Sequence, residues 1–554
     1  MSEAVAKNGG AILVEALCQH GVEQVYCVPG ESYLPVLDAL HQHPRIQTIV
    51  TKHEGAASNM ADAYGKLTGL PGIAFVTRGP GATHASNGVH TAMQDSTPMI
   101  LFIWQVATAM KEREAFQEID YRSMFKDMAK WVTEIESIER IPEVLSRAFS
   151  VAMSGRKGPV GIALPEDVLF GVTDRVRTLP RVQLPYAQVS AEVAPQLAQA
   201  LGRAQKPLVI VGGTGWTPEA QQDLKTFVER WNLPVAAGFR RQDIFDNRDP
   251  HYVGQLGLGI SPALAEMVRH SDLLLVIGSR LSEVTSGSYE LIACPKPTQR
   301  LIHIHPDADE LNRVFHSDMP VQANPVAITR CLAALPGEPV APTCQAWTQA
   351  ARRHYEQHNA PLARHPEQQG VNLAHVVSYL SEHLPEDAVV SNGAGNYTVW
   401  VHRFFRYKTL GTELAPTNGA MGYGLPAAIA AKLHQPERTV VCFAGDGCFL
   451  MYPQELATAK QFGANIIVIV VNNGMYGTIR MHQEREFPGR LSATQLESPD
   501  FVTLARAFGA HAECVERDED FAPAWERARA AGVPALIELR TDPAQISPTS
   551  RLSA

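Results

Sequence analysis

The sequence has no Cys-x-x-Cys pair, no block of basic residues and no apolar run long enough to cross a membrane. Each absence removes a class of protein. The eight cysteines, Cys18, Cys27, Cys294, Cys331, Cys344, Cys442, Cys448 and Cys514, are scattered over 554 residues. That spacing suits neither a disulfide framework nor a structural zinc site, so they read as buried thiols in a reducing compartment. Even "NIIVIVV", from Asn465 to Val471, is strand-length against the ~18 residues of a membrane helix. The amino-terminal "MSEAVAKNGGAILVEALCQHG" has one lysine before a short amphipathic segment, and no long apolar core with a cleavage site, so it does not read as a secretory leader. A cytoplasmic location is the expectation. A formal charge of −9 argues against nucleic acid as a partner. No short repeat or low-complexity tract is evident, which disfavours a solenoid.

What is present is alternation. A hydrophobic fraction of 45% with 19% charged residues is ordinary for a globular chain, and domains of roughly 150 residues suggest three or four of them. Short β-rich runs, "QVYCVPG", "IQTIVTKHE", "GIAFVTRGPG", "PMILFIWQV" and "PVGIALPED", are separated by segments of helical periodicity. The theme returns in "PLVIVGGTG", "LPVAAG", "DLLLVIGSR" and "RLIHIHPD", and again in "AVVSNGAG", "TVVCFAGDG", "NIIVIVVNNG" and "PALIELRT". This is the pattern of parallel α/β units. Two proline-broken connectors, 172–190 and 334–345, divide the chain into expected domains 1–185, 186–340 and 341–554. The predicted fold class is α/β, with three doubly wound parallel-sheet domains.

Asp446 stands between two glycines in "AGDG", where a strand is predicted to end. After this "GDG" come 24 residues and then "NNGMYG" from Asn472. Asp-Gly and Asn-Gly are common turn dipeptides, and either alone is explained as a turn. Together, at the ends of two neighbouring parallel strands, they offer one ion the Asp446 carboxylate, the Asn473 amide oxygen and the Met475 carbonyl. Hard oxygen donors of this kind suit Mg²⁺ shared with a phosphate, and Gly447 lets the backbone approach that phosphate closely.

The same spacing resembles the signature of the thiamine-diphosphate (ThDP) enzymes. "TKHEGAASNMADAYGKLTG", "TRGPGATHASNGVHTAMQDSTPMI" and "TNGAMGYGLPAAIAA" are similar to further segments of that family, from about residue 10 to 540. The resemblance implies ThDP and Mg²⁺ as cofactors. It implies diphosphate contacts from Asn392, Gly393, Ala394, Gly395, Gly447 and Cys448, with Tyr476, Gly477 and Thr478 beside the metal turn. Met421 would support the bend between the cofactor's rings, and the Gly419 carbonyl would accept from the 4′-amino group. Glu54, supplied by another subunit, would hydrogen-bond N1′ of the aminopyrimidine and favour the tautomer that removes the thiazolium C2 proton. In "KHEGAA" alone, Glu54 reads first as a solvated acid at a helix start, and only the full set of segments favours the cofactor role. A homodimer is the implied minimum and a homotetramer the expected assembly.

Within the family, "LPVLDAL", "GPGAT", "EAFQE" and "MGYGLPAAI" look like acetolactate synthases. That resemblance puts Phe116 and Gln117 at the substrate; the plain alternative for "EAFQEID" is an amphipathic surface segment. Ile479 is apolar where simple pyruvate decarboxylases carry a glutamate, which favours addition to a second carbonyl over release of an aldehyde. Glu31 pulls the other way, as a second carboxylate able to shuttle a proton, unless it caps the following helix. His84 stands where the family has asparagine, and reads as a packed or supporting histidine. In the central domain, "GGTGW", "IGSRLSEVTSG" and Arg280 resemble flavin-contact segments, whereas "GQLGLGISP" departs from them, so FAD is a disfavoured candidate. The expected function is ThDP- and Mg²⁺-dependent decarboxylation of a small 2-oxo acid with carboligation to a second carbonyl substrate. The alternatives are a non-oxidative decarboxylase, an aldehyde carboligase or lyase, and a ThDP-binding protein without turnover.

Overall fold

The computed structural model describes residues 6–185, 188–337 and 342–552. The expected boundary residues 186, 340 and 341 lie outside them. Three six-stranded sheets, every strand parallel to its neighbours, account for the alternation. The first sheet takes strands Gln24–Cys27, Gln47–Val50, Gly72–Val76, Met99–Gln105, Trp131–Glu134 and Pro159–Pro165. Counted in chain order, they lie across the sheet as second, first, third, fourth, sixth, fifth. The last sheet, with strands Val389–Asn392, Glu413–Leu414, Val440–Gly445, Ile467–Asn472, His511–Val515 and Ala535–Arg540, repeats that order. The central sheet runs Pro207–Val211, Val235–Ala237, Tyr252–Gln255, Leu273–Ile277, Arg300–His305 and Met319–Gln322. Its order is third, second, first, fourth, fifth, sixth. Chains built this way bind ligands where the strand order reverses, at the carboxyl edge.

Inner strands such as Leu273–Ile277 and Ile467–Asn472 are buried at every residue, as expected of sheets covered on both faces. Within these three sheets, the strands not anticipated from apolar runs are Trp131–Glu134, Tyr252–Gln255, Met319–Gln322, Glu413–Leu414 and His511–Val515. All five are at sheet edges.

The terminal domains pack directly on each other. One apolar cluster joins Ala57, Met60 and Tyr64 of the helix Glu54–Thr68 to Ala427, Ala428 and Ala431 of the helix Gly424–His434. Small side chains let these helices approach closely. The seam also holds a buried charge network: Lys66 Nζ lies 2.9 Å from Asp62 Oδ2 and pairs with Asp95, while the Tyr423 hydroxyl donates to Asp62 Oδ2 at 2.7 Å. The helix Glu54–Thr68 is walled in elsewhere too. A Cβ on Gly72 would overlap the Ala61 backbone, and one on Gly88 the Ser58 side chain. The helix Pro342–Asn359 packs on the central domain, with Ala351 and Tyr355 in its apolar clusters.

Candidate active site

The loops leaving the first four strands of the C-terminal sheet converge on a cavity of about 250 Å³. The first contributes Ala394 and Gly395, and the second Gly419 and Met421. Asp446, Gly447 and Cys448 come from the third, and Asn473, Met475, Tyr476, Gly477, Thr478 and Ile479 from the fourth. Parallel pairing sets Gly445 against Val471, so Asp446 emerges level with the asparagine pair. Asp446 is 3% exposed. Its Oδ1 accepts the Gly447 N–H at 2.9 Å, and its Oδ2 accepts the Gly474 N–H at 2.8 Å. Burial raises its carboxyl above the ordinary value, against these hydrogen bonds. A buried carboxylate with amide hydrogen bonds but no cation beside it suits a cation ligand.

The two asparagines divide their work. Asn472 Nδ2 donates to Glu538 inside the sheet at 2.7 Å, whereas Asn473 is half-buried on the cavity wall. The Met475 carbonyl accepts from the Gly477 N–H at 3.0 Å. These three groups fit Mg²⁺ by donor type. Gly419 has φ +72°, and nothing lies within 4 Å of where its Cβ would sit, leaving uncovered backbone at the cavity. A Cβ on Gly447 would come 2.6 Å from the Tyr476 ring. Cys448 ties loops together: its thiol accepts the Gly422 N–H at 3.2 Å and the Tyr397 hydroxyl at 3.5 Å. Asn392 and Gly393 do not line the cavity. Asn392 is fully buried with both amide atoms unpartnered, and Gly393 N–H donates to Tyr397 Oη at 3.0 Å.

Several wall residues were not anticipated. Asn396 accepts from Thr478 Oγ1 at 2.8 Å and donates to the Ile546 carbonyl at 2.8 Å. Asp542, Gln545 and Ile546 close the cavity from the carboxyl-terminal segment. Asn396 directly follows the "NGAG" turn and could have been included with it; the 541–546 segment carries no motif.

The remaining site residues gather at the matching edge of the N-terminal sheet, and Glu54 does not line the Asp446 cavity of its own chain. Glu54 begins its helix with His53 as N-cap. A Cβ on Gly81 would lie 3.5 Å from Glu54 Oε1, and Glu54 Oε2 is 2.9 Å from His84 Nδ1. His84 is exposed, which corrects the reading of it as packed; its supporting contact is with Glu54. Glu31 is exposed at the start of a three-residue turn capped by Gly30 without a side-chain bond, so it is no N-cap. Gln117 has φ +67°, its Oε1 is buried without a partner, and its carbonyl accepts the Gly79 N–H at 2.9 Å. Phe116 is 75% exposed.

The domains are also gripped near Glu54. Glu455, fully buried, accepts the Lys52 N–H at 3.0 Å and the Thr458 hydroxyl at 2.7 Å. The Tyr452 ring lies 5.3 Å from that of His53. A second cavity, of about 1630 Å³, opens between the three domains and is lined by Gly212–Trp216, Arg240 and Arg280. "GQLGLGISP" stands apart from it, with Gly257 against Phe239 and Gly259 against Val399. No helix among the described residues is long and apolar enough to cross a membrane.

Comparison with known proteins gives three family matches. They are the N-terminal TPP binding domain of thiamine pyrophosphate enzymes over residues 7–124, the central domain over 195–332 and the C-terminal TPP binding domain over 393–539. The chain is 32% identical over 513 residues to the acetolactate synthase large subunit of Parasynechococcus marenigrum, covering 91% of this chain and 82% of that one. It is 30% identical over 537 residues to the acetolactate synthase isozyme 2 large subunit of Escherichia coli, covering 97% and 96%. With the large subunit from Lactococcus lactis it shares 30% over 509 residues, 91% and 87%.

Proposed function

The chain belongs to the thiamine pyrophosphate enzymes and is acetolactate synthase-like, and from that premise we propose the reaction it runs. It decarboxylates a small 2-oxo acid such as pyruvate and transfers the remaining acyl unit to a second carbonyl compound, giving a 2-hydroxy-2-alkyl-3-oxo acid. The observation that carries this reading is the convergence of Asp446, Asn473 and the apolar Ile479 on one cavity at the switch point of the C-terminal sheet.

When bound, ThDP supplies an electron sink at thiazolium C2. Asp446, Asn473 and the Met475 carbonyl would hold Mg²⁺. Ala394, Gly395, Gly447, Cys448, Tyr476, Gly477 and Thr478 would form the diphosphate side, whereas Asn392 and Gly393 lie off the cavity. Gly419 and Met421 would orient the rings, and Glu54 would hold a proton at N1′. Ile479 offers no proton, which favours carbon–carbon bond formation over aldehyde release. Phe116 and Gln117 border the substrate. An FAD, if the protein carries one, lies in the larger cavity beside Arg280; the visible absorption of the protein as isolated reads this directly.

Glu54 and Asp446 address one cofactor only across two chains, so the unit is at least a homodimer and, by the family pattern, a homotetramer. Exposed apolar side chains on the strand-end loops of both terminal domains, Leu34, Met110, Phe116, Met451, Ile479 and Phe487, support a second copy covering these edges.

The test is a panel of 2-oxo acids with ThDP and Mg²⁺ and full product analysis. From pyruvate, two molecules should be consumed per CO₂, with acetolactate as product; acetaldehyde alone refutes the synthase reading. Glu31 favours that second outcome, a simple decarboxylase, because its carboxyl group caps no helix and could shuttle a proton to or from the bound intermediate. The same product analysis decides between them.

A further inference from the structure

The segment 415–418 leads into Gly419 and Met421 at the Asp446 cavity, yet side chains from the other two domains hold it at every residue. The Ala415 carbonyl accepts from Lys66 Nζ at 3.0 Å, and the Pro416 carbonyl accepts from Arg240. Asp95 Oδ1 accepts both donors of Thr417, its N–H at 2.7 Å and its hydroxyl. Asn418 Nδ2 donates to the Thr91 hydroxyl at 3.1 Å. Past these holds the turn closes on itself, with the Gly419 N–H donating to the Pro416 carbonyl at 3.1 Å. Lys66 also donates to the Tyr423 hydroxyl at 3.1 Å, so the loop is pinned on both sides of Gly419 and Met421.

Asp95 is where these holds meet. Its other carboxylate oxygen pairs with Lys66, and its side chain is 2% exposed. It ends the helix Gly79–Asp95, where an acid opposes the helix dipole. Local preference therefore does not explain it, and a residue set against local preference is expected where function asks for it. The buried carboxylate is offset by one cation and two donors, and charge-assisted hydrogen bonds are the stronger kind. Lys66, Thr91, Asp95 and Arg240 are all enclosed within one chain, so the clamp is complete without a second copy.

We propose that Asp95 is a positioning residue for the cofactor, fixing through Thr417 where the Gly419 carbonyl and Met421 stand. This role rests on the reading that the loop meets the rings of ThDP. Asp95 touches no reacting atom, but a carbonyl displaced by ~1 Å costs on the order of 10²-fold in rate. Plain adhesion between domains is the competing role, and it predicts loosening spread along the whole seam.

The experiment compares Asp95→Asn, Thr417→Val, Thr417→Ser and Met421→Ala with the native chain. In the protein without cofactor, amide hydrogen exchange of 415–421, read by mass spectrometry, should quicken roughly tenfold in Thr417→Val and more in Asp95→Asn. In Thr417→Val the seam helices Glu54–Thr68 and Gly424–His434 should keep native exchange, and Thr417→Ser should match the native loop. With ThDP and Mg²⁺ bound, hydrogen–deuterium exchange at C2, read by quenched NMR, should slow about tenfold in Thr417→Val and on the order of 10²-fold in Asp95→Asn. Thr417→Ser should again match the native chain. Thr417→Val leaves the Lys66 ion pair intact and carries the test if Asp95→Asn does not fold. Native loop protection in Thr417→Val, or seam helices loosened along with the loop, overturns the proposal. So does native C2 exchange in Thr417→Val beside slowed exchange in Met421→Ala. Native C2 exchange in Met421→Ala overturns instead the reading of this loop as the support of the rings.

Discussion

The two terminal domains share one strand order and use the same four loops, yet arm them differently. After the third strand the C-terminal domain carries Asp446, buried and hydrogen-bonded by backbone amides. Its N-terminal counterpart carries the glycine turn of "TRGPG". After the second strand the N-terminal domain carries Glu54, and the C-terminal domain the uncovered backbone of Gly419. The topology thus fixes where chemistry can occur, and the loop residue decides which. On the proposed function, one edge would hold charge still and the other would move a proton.

The sharpest way to break that division is to remove each acid. Glu54→Gln should cut turnover by about 100-fold or more while ThDP still binds. Asp446→Ala should instead weaken Mg²⁺–ThDP affinity by more than about 100-fold, as read by calorimetry; matching kinetic signatures for the two would erase the distinction. Next in size is the seam that holds the domains in register. Lys66→Ala leaves Asp62 and Asp95 facing each other without a cation and should cost about 3–5 kcal/mol in denaturant unfolding.

Glu455 sharpens the comparison through pH, because it belongs to one domain and grips the other. Burial pushes its carboxyl up to about 7, above the ~4.3 of an unfolded chain. The folded state therefore binds the extra proton, and its stability contribution, full below about pH 4.3, is lost as pH rises through 7. Glu455→Gln should remove that slope, on the order of 3 kcal/mol across the window, as measured by unfolding at a series of pH values. The smallest effect expected is Thr478→Val, which loses the bond to Asn396 and should cost about 1 kcal/mol, visible mainly as a raised KM.

Much of this was legible in the sequence because inner strands of covered parallel sheets are continuous apolar runs. "DLLLVIG" and "NIIVIVV" announce themselves. Edge strands mostly do not: Met319–Gln322 alternates buried and exposed residues, and Trp131–Glu134 is half-buried throughout. The cavity around Asp446 was readable because its oxygen donors lie in short turns, where one or two residues line it. What remained hidden were pairings between distant residues. His84 meets Glu54 across 30 positions and two loops, and nothing in "GATHAS" points at its partner. Asp542 and Ile546 reach the cavity only because the chain returns along the sixth strand.

The packing of the helix Glu54–Thr68 also fixes how far Glu54 can reach. With Gly72 and Gly88 pressed against that helix and Tyr452 beside its first turn, the rod has no slack along or across its axis. The length of the acid is then a ruler that the scaffold cannot recalibrate. Glu54→Asp shortens it by one carbon–carbon bond, about 1.5 Å, and no sliding of the helix can restore the difference. On the proposed role of Glu54, a carboxyl group there would not be enough, because the scaffold fits one chain length.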